Sequence, residues 1–243
     1  MKKLLLIPVM SLILFSCEGP GSKTDRPDLG PDTLGLADTI VAGSEQVFIE
    51  RISRAEFDSA SDKGLAAPNP AREADNLKRD SALITMHDSV YLIRLGSGDT
   101  ATLVEKRINP LDESDVVQYT YMGRLGGIPF IVFECTYYES YGYMMMNLNT
   151  GKTFDMFWGE PRLSPDGEHV FSSQYDMESG FLPNGLQLFR LQGDEIVPLW
   201  QKELTQWGPT SARWADAKSI CFAQETPGGP NGQIVNYARI ILK

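Results

Sequence analysis

Short apolar runs follow one another along the chain from Ala82 to the C-terminus, each bounded by residues that favour turns. Runs of four to eight residues between clusters of Gly, Pro, Asn and Asp are typical of β-strands. The predicted strands are 82–87, 90–95, 100–105, 116–122, 128–136, 141–149, 152–157, 168–174, 185–191, 195–200, 209–214, 218–224 and 234–242. No stretch of this part shows ten residues of helical period, so the body is expected to be all-β and antiparallel.

The connections between several of these runs carry clear turn chemistry. Residues 96–99, 149–152 and 192–195 each place Gly where a tight hairpin requires a positive φ. Residues 164–167, Ser-Pro-Asp-Gly, also favour a tight turn, because Pro fixes φ and Asp-Gly is a common turn pair. These turns predict antiparallel hairpins.

Upstream of the strands the pattern changes. Ser53 followed by Glu56 is a capping-box pattern, which predicts a short helix from 54 to about 60. Residues 61–80 contain two prolines and many charges, so we expect a long loop with a helical turn near 71–77.

A weak internal repeat lies in the second half of the chain. The segment 158–171, WGEPRLSPDGEHVF, parallels 207–222, WGPTSARWADAKSICF, and Arg162 and Arg213 lie 51 residues apart. Two further predicted strands stand between the copies, so one period holds about four strands. Four antiparallel strands in a repeat of about 40 to 50 residues are typical of a propeller blade.

The phrase PRLSPDGEHVFSS, residues 161–173, resembles the repeat of the WD40-like, TolB-type periplasmic propellers, in which an S-P-D-G turn joins the first two strands of a blade. The resemblance is specific over 158–200, looser over 207–243 and only architectural over 82–157. It implies antiparallel four-stranded blades in a partial or small, three- to four-bladed β-propeller, preceded by the short helix. Few blades make closure doubtful, so a partial propeller, a four-bladed ring and a curled pair of sheets all remain open.

The N-terminus has the pattern of an export signal. A basic Lys2-Lys3 pair precedes an apolar run, 4–15, that is shorter than the roughly 20 residues needed to span a bilayer. The following LFSC ends at Cys17 and resembles the lipobox of bacterial lipoproteins. The resemblance implies removal of 1–16, lipidation of Cys17 and attachment of the protein to a membrane of the cell envelope, with the outer membrane favoured. The alternative is an ordinary secretory signal with an accidental cysteine.

Composition separates the rest of the chain into a tether and a body. Residues 17–45 are rich in Gly, Pro and Asp, which is typical of a flexible linker, and 46–243 are expected to form the folded domain. Loss of the two N-terminal lysines would take the formal net charge from −10 to −12. So acidic a chain should repel nucleic acid, and we therefore expect no nucleic-acid partner.

Cys135 and Cys221 remain once Cys17 is lipidated. An exported protein permits a disulfide, but both residues lie in apolar strand-like runs, where free cysteine is often buried as a small hydrophobe. Both possibilities stay open at this point.

The chain carries none of the common catalytic or metal-binding motifs. Zinc-binding H-E-x-x-H, C-x-x-C pairs, the G-x-S-x-G elbow and phosphate-binding Gly loops are missing, and the two histidines, His87 and His169, lie far apart. We therefore expect no cofactor, no metal and no identifiable catalytic residue. A carboxylate pair could still support glycoside hydrolysis, but nothing singles out one pair.

The repeat places Trp158, Glu160 and Arg162 beside Trp207 and Arg213. If W-G-E-P and W-G-P connect successive blades, these side chains gather on one face near the propeller axis, where ligands usually dock. Tryptophan and arginine are also enriched at interaction hot spots, so the five residues form a first candidate binding site. The alternative is that the tryptophans merely wedge between blades.

A second candidate lies at a turn rich in tyrosine. Alternate positions of a strand share one face, so Tyr137, Glu139, Tyr141 and Tyr143 are expected to form an exposed aromatic strip around a turn, which stacks on sugars or binds a peptide. Ordinary cross-strand pairing is the alternative. Together these features predict a lipid-tethered, non-catalytic binding or scaffold module for an envelope protein or glycan, with an envelope hydrolase as the second hypothesis.

Overall fold

A computed structural model describes residues 37–42, 45–66, 73–106, 116–227 and 235–242. Its first elements are β1 (Ala37–Ala42), β2 (Glu45–Ile52), α1 (Arg54–Ser59), β3 (Leu65–Ala66) and α2 (Glu73–Arg79). Then follow β4 (Ile84–His87), β5 (Val90–Arg94), β6 (Thr100–Val104), β7 (Gln118–Leu125), β8 (Phe130–Thr136), β9 (Tyr141–Asn147) and β10 (Thr153–Phe157). The last are β11 (Arg162–Leu163), β12 (His169–Gln174), β13 (Gly185–Gln192), β14 (Glu195–Glu203), β15 (Gly208–Asp216), β16 (Ser219–Glu225) and β17 (Val235–Leu242).

The strands form four antiparallel sheets that follow one another along the chain. Sheet 1 is β4-β5-β6, and sheet 2 is β7-β8-β9-β10. Sheet 3 is β11-β12-β13-β14 with β3 added beside β11, and sheet 4 is β15-β16-β17 completed by β2 and then β1. The N-terminal strands therefore complete the C-terminal sheet, pairing for example Ile240 with Ile49.

The all-β, antiparallel prediction is confirmed, and each of the predicted strands from 82 onward has a counterpart in the structure. The short helix is also confirmed as α1, with its capping box formed by Ser53 and Glu56. The Glu56 amide donates to Ser53 Oγ at 3.2 Å, and the Ser53 amide donates to Glu56 Oε2 at 2.8 Å. Strand β1 lies within the segment expected to be linker.

Residues 61–80 were expected to form a long loop with a helical turn near 71–77. The helical turn is confirmed as α2, but the part expected to be loop also contains a short strand. Residues 65–66 form β3, which pairs with β11, and 73–79 form α2. Both elements are stabilised by contacts with residues far along the chain, which a local pattern does not reveal.

The sheets pack face to face in chain order because their strands alternate apolar side chains between two faces. In β8, Ile131 and Phe133 pack towards sheet 1, whereas Phe130 and Val132 pack towards sheet 3. A third buried cluster joins sheets 3 and 4 around the fully buried Trp214. Each interior sheet is therefore apolar on both faces.

The two ends of this stack differ. Helix α1 covers the outer face of sheet 4, where Phe57 packs on Cys221 and Ala223. The outer face of sheet 1 is open, and Leu92 and Val104 are 40% and 53% exposed there. No buried cluster among the described residues joins sheet 1 to sheet 4. The architecture shown is therefore four packed antiparallel sheets, and a closed propeller ring is not shown.

One segment runs along the first strands of sheets 4, 3 and 2 in turn, and we call residues 60–66 with α2 the edge segment. The Lys63 amide donates to the Trp214 carbonyl of β15 at 2.7 Å, and β3 pairs with β11. On β7, the Met122 carbonyl accepts from Asn76 Nδ2 at 2.8 Å, and the Tyr121 amide donates to Glu73 Oε1 at 2.7 Å. The edge segment thus occupies backbone groups that an exposed edge strand would leave unpaired.

Candidate ligand-binding groove

The residues of the first predicted site form contacts within the protein, and the first of them is Trp158. The Trp158 amide donates to Gln187 Oε1 of sheet 3 at 2.8 Å, and the Gly159 amide donates to Ser172 Oγ at 2.9 Å. Both bonds fasten the connection between sheets 2 and 3. The Trp158 ring is half-buried.

Arg162 forms ion pairs with two acidic side chains. Its guanidinium lies 2.7 Å from Asp62 of the edge segment and 3.6 Å from Glu160. Burial raises the pKa of the Glu160 carboxyl, and the nearby Arg162 only partly offsets that rise. This cation is therefore already neutralised by the protein itself.

Trp207 does not reach the surface. It is 3% exposed and stacks almost parallel to the Phe222 ring, with the ring centroids 5.8 Å apart. Its carbonyl accepts a hydrogen bond from the Asn184 side chain at 2.9 Å. Trp207 therefore acts as a wedge between sheets 3 and 4, and a ligand cannot reach it in this fold.

Arg213 is bound to helix α1. Its Nε donates to the Ala60 carbonyl at 2.7 Å, and another guanidinium nitrogen donates to the carbonyl of Phe57. Arg162 and Arg213 thus occupy equivalent first strands of sheets 3 and 4, and the chain around the edge segment engages both. Trp207 is buried and Arg213 is bound to α1, so neither is open to a ligand, whereas the other three residues of the first candidate site stay partly exposed.

The second predicted site is brought together by the fold. Tyr137, Tyr141 and Tyr143 line one open cavity of about 560 Å³ between the β8–β9 turn and the loop 175–184, which connects β12 to β13. Its other lining residues are Glu134, Thr136, Glu139, Ser140, Ser179, Phe181 and Leu182. We call this cavity the tyrosine groove.

Aromatic surface in the tyrosine groove faces solvent. Tyr137 and Tyr141 are each 38% exposed, and Phe181 is 66% exposed, although rings of this size are usually covered in a monomer. The Tyr141 ring meets the Tyr143 ring edge-on with centroids 6.2 Å apart. The exposed strip is therefore an ordered surface in which neighbouring rings support one another.

Two hydrogen bonds fix the positions of these phenols. Gln174 Nε2, at the end of β12, donates to the Tyr141 hydroxyl at 2.9 Å. The Tyr143 hydroxyl donates to Glu134 Oε2 at 3.3 Å. Burial, together with Glu134, raises the pKa of Tyr143, so this phenol is neutral at physiological pH.

Loop 175–184 forms the opposite wall and is held by one carboxylate. Asp176 accepts hydrogen bonds from the Ser179 hydroxyl at 2.7 Å and from the Leu182 amide at 2.7 Å. Burial alone would raise the pKa of Asp176, but these bonds outweigh it and lower the pKa to about 2. Asn184 anchors the far end of the loop by donating to the Leu204 carbonyl at 2.8 Å.

Sequence reasoning missed the part of the groove that this loop provides. Phe181 is a single aromatic residue in a turn-rich stretch, and nothing nearby in the sequence shows that it lies against tyrosines some forty positions away. An exposed aromatic residue before a Leu-Pro-Asn turn was the available signal. Sequence reasoning also missed Glu134, because it lies within an apolar strand-like run.

Three potential metal ligands meet at the Ser-Pro-Asp-Gly turn, although the sequence predicted no metal site. Ligand atoms of Asp166, Glu168 and His169 lie within 4.8 Å of one another. Asp166 Oδ1 already accepts from Ser164 Oγ at 2.5 Å and from the Glu168 amide at 3.1 Å. These bonds stabilise the turn, and no second observation points to an ion.

Comparisons with known proteins identify no relative of this chain. The chain matches no protein-family model, and no curated protein matches it significantly.

Among the described residues, the helices are too short or too polar to cross a bilayer. Cys17 and the export signal lie outside the described residues, so the lipid anchor stays a prediction.

Proposed function

We propose that this chain is an exported bacterial lipoprotein, tethered to an envelope membrane through Cys17, whose β-rich body is a non-catalytic binding module. The basic pair, apolar run and LFSC of the N-terminus support the anchor. The outer membrane is the favoured location. An envelope protein or glycan is the expected class of partner.

The binding role depends on one observation, the tyrosine groove. Its volume of about 560 Å³ falls in the range of natural ligand sites, roughly 300 to 1,000 Å³. Tyrosine and phenylalanine supply a large contact area and lose little rotamer entropy on binding, so an exposed set of them favours recognition. The hydrogen bonds from Gln174 and to Asp176 hold both walls in place before a ligand arrives.

We further propose that the four sheets are blades of a partial, open propeller related to the TolB-type repeat. Arg162 and Arg213, 51 residues apart, occupy equivalent first strands, which supports a repeat of one sheet each. In this arrangement the edge segment takes the axial position, and ligands bind between the loops that join the second and third strands of sheets 2 and 3.

Metabolic labelling with a fatty acid tests the anchor. The wild-type chain should incorporate label and sediment with membranes, whereas Cys17→Ser should incorporate no label. Cys135→Ser is the matched control and should keep its label. A wild-type protein that remains soluble with its leader intact would contradict the anchor.

Ligand binding tests the groove. The non-lipidated full chain, Cys17→Ser, is titrated by NMR with a panel of synthetic peptides and envelope glycans. We expect at least one probe to shift groove signals and to lose affinity in Phe181→Ala and Tyr137→Ala. The control Tyr138→Ala removes an exposed ring that does not line the groove and should bind normally. If no probe shifts groove signals, or the groove variants bind like the control, the binding role is wrong.

The hydrolase hypothesis keeps one supporting observation, since Glu134 and Glu139 both line the groove. Release of new reducing ends from a bound glycan, abolished in Glu134→Gln, would favour it. Binding without turnover favours the non-catalytic module.

A further inference from the structure

The tyrosine groove combines aromatic faces with negative charge. Two of its lining residues, Glu134 and Glu139, are acidic, and none of the described residues that line it is Lys, Arg or His. A cationic ligand would therefore find no competing positive charge in the groove.

Further carboxylates surround the lining. After burial, the carboxylate of Asp155 contributes to the raised pKa of Tyr137, and that of Glu160 contributes to the raised pKa of Tyr143. Both effects require negative charge close to these phenols. An anionic ligand would be repelled at the same place, in a protein whose formal net charge is already −10.

Aromatic faces add a second attraction for cations. The electron-rich face of a Tyr or Phe ring attracts an ammonium or guanidinium group, and sets of such rings are a recurrent cation-binding device. The protein itself uses this contact where the Arg213 guanidinium lies over the Phe57 ring. In the groove, the exposed faces of Phe181, Tyr137 and Tyr141 have no such occupant among the described residues.

From this charge complementarity we propose that the tyrosine groove binds an extended basic peptide segment of a protein partner, with Lys or Arg side chains stacked on its rings and paired with Glu134 and Glu139. This inference rests on the proposed binding role of the groove. The volume of about 560 Å³ exceeds what one cationic head fills, so several residues of an extended chain fit. The hydroxyls of Ser140 and Ser179 line the groove and can bond to the peptide backbone.

The test uses the non-lipidated full chain and five defined probes, namely tetra-arginine, tetralysine, tetraglutamate, choline and chitotetraose. We expect the two basic peptides to bind and their affinity to fall as salt rises, because the attraction between exposed charges is screened. Phe181→Ala and Glu139→Gln should each weaken binding about tenfold, which is the scale of one cation–aromatic or charged contact. Glu134→Gln should act in the same direction and keeps an acceptor for Tyr143.

Matched controls separate the groove from general charge. Glu178→Gln removes an acidic residue from the same loop, and Tyr138→Ala removes an exposed ring beside the groove. Neither residue lines it. Both variants should bind the basic peptides like the wild type. Equal losses in the controls would overturn the inference, because binding would then follow the overall negative charge.

The remaining outcomes distinguish this inference from the proposed function. Chitotetraose could bind with an affinity that falls in Phe181→Ala and is unchanged in Glu134→Gln and Glu139→Gln. The groove would then be a glycan site, and the basic-peptide inference would be overturned. If choline binds as tightly as tetralysine, the inferred ligand would be a small amine, and the basic-peptide inference would be overturned. If tetraglutamate binds as well as tetralysine, the charge argument fails. If no probe binds, this inference is overturned, and the wider panel of peptides and glycans decides the binding role separately.

Discussion

The guanidinium of Arg213 lies over the ring of Phe57, 3.8 Å from its centroid. The same group donates to the carbonyls of Phe57 and Ala60 at the C-terminal end of α1, where the Phe57 carbonyl also accepts from the Ala60 amide. One side chain thus attaches the only helix on sheet 4, among the residues described, to the first strand of that sheet. Since β2 directly precedes α1, this attachment also supports the strand that completes the sheet.

Loss of this attachment should destabilise the fold. We expect Arg213→Ala to lower the free energy of unfolding by about 3 kcal/mol, because charged hydrogen bonds and a cation–aromatic contact are lost together. Arg54→Ala is the control, since Arg54 on the same helix makes only an exposed 3.4 Å pair with Asp58 and should change stability by less than about 0.5 kcal/mol. Urea unfolding followed by tryptophan fluorescence measures both. Similar losses in the two variants would contradict the attachment.

A second prediction concerns the close approach at Gly159. A Cβ atom there would lie 1.9 Å from the Ser173 carbonyl oxygen, a separation that real structures do not show. We expect Gly159→Ala to cost about 3 kcal/mol or more, or to prevent folding, because backbone has to move. Gly167→Ala is the comparison. Its φ of +77° is unfavourable for alanine but no atom lies within 4 Å of the added Cβ, so about 1 kcal/mol is expected.

Soluble yield and thermal unfolding measure this difference. If Gly159→Ala fails to fold, Ser172→Ala gives a milder test, because Ser172 Oγ bonds to both the amide and the carbonyl of Gly159 at 2.9 Å. A Gly159→Ala variant as stable as Gly167→Ala would show that the approach is looser than described.

Acid should loosen the wall of the groove that carries Phe181. Asp176 has a pKa of about 2 in the folded protein, below its ordinary value of 3.8, so its contribution to stability is complete above about pH 4. That contribution is lost as the pH falls from about 4 towards 2. The stability difference between wild type and Asp176→Asn should shrink over this window, measured by urea unfolding at each pH. A difference that stays constant from pH 5 to pH 2 would contradict the role of this carboxylate.

The two remaining cysteines should be free and unreactive in the folded protein. Cys135 lies in sheet 2 and Cys221 in sheet 4, with sheet 3 between them, so they cannot pair. Burial raises the pKa of Cys135 to about 12, which leaves about one thiolate in ten thousand at pH 8. Burial also raises the pKa of Cys221.

A thiol reagent measures this protection. In the Cys17→Ser chain at pH 8 we expect no rapid reaction in the native state and two thiols per chain in denaturant without reductant. Rapid labelling of the folded protein would contradict the burial. Thiols that appear only after reduction would contradict the absence of a disulfide.

Local sequence patterns determined the elements of this fold. Short apolar runs bounded by turn residues predicted the strands from residue 82 onward, and Ser53 with Glu56 predicted α1, because both signals lie within a few residues of the structure that they stabilise. Arg162 lies outside the predicted strands, and the structure adds the short strand β11 there, paired with β12. The tyrosine strip was predictable for the same reason, since Tyr137, Tyr141 and Tyr143 lie close together in sequence around one turn.

Only the tertiary structure decided what those residues contact. α2 forms against a strand whose Met122 lies 46 positions from Asn76, and β3 forms against Arg162 and Leu163. The same part of the chain binds both arginines, which the sequence had led us to expect at a ligand site. The packing of sheet 3 beside sheet 2 brings Phe181 of the loop 175–184 to the tyrosines. Contacts of this kind join segments that are distant in the chain, and their energy depends on how the sheets pack, so no local pattern encodes them.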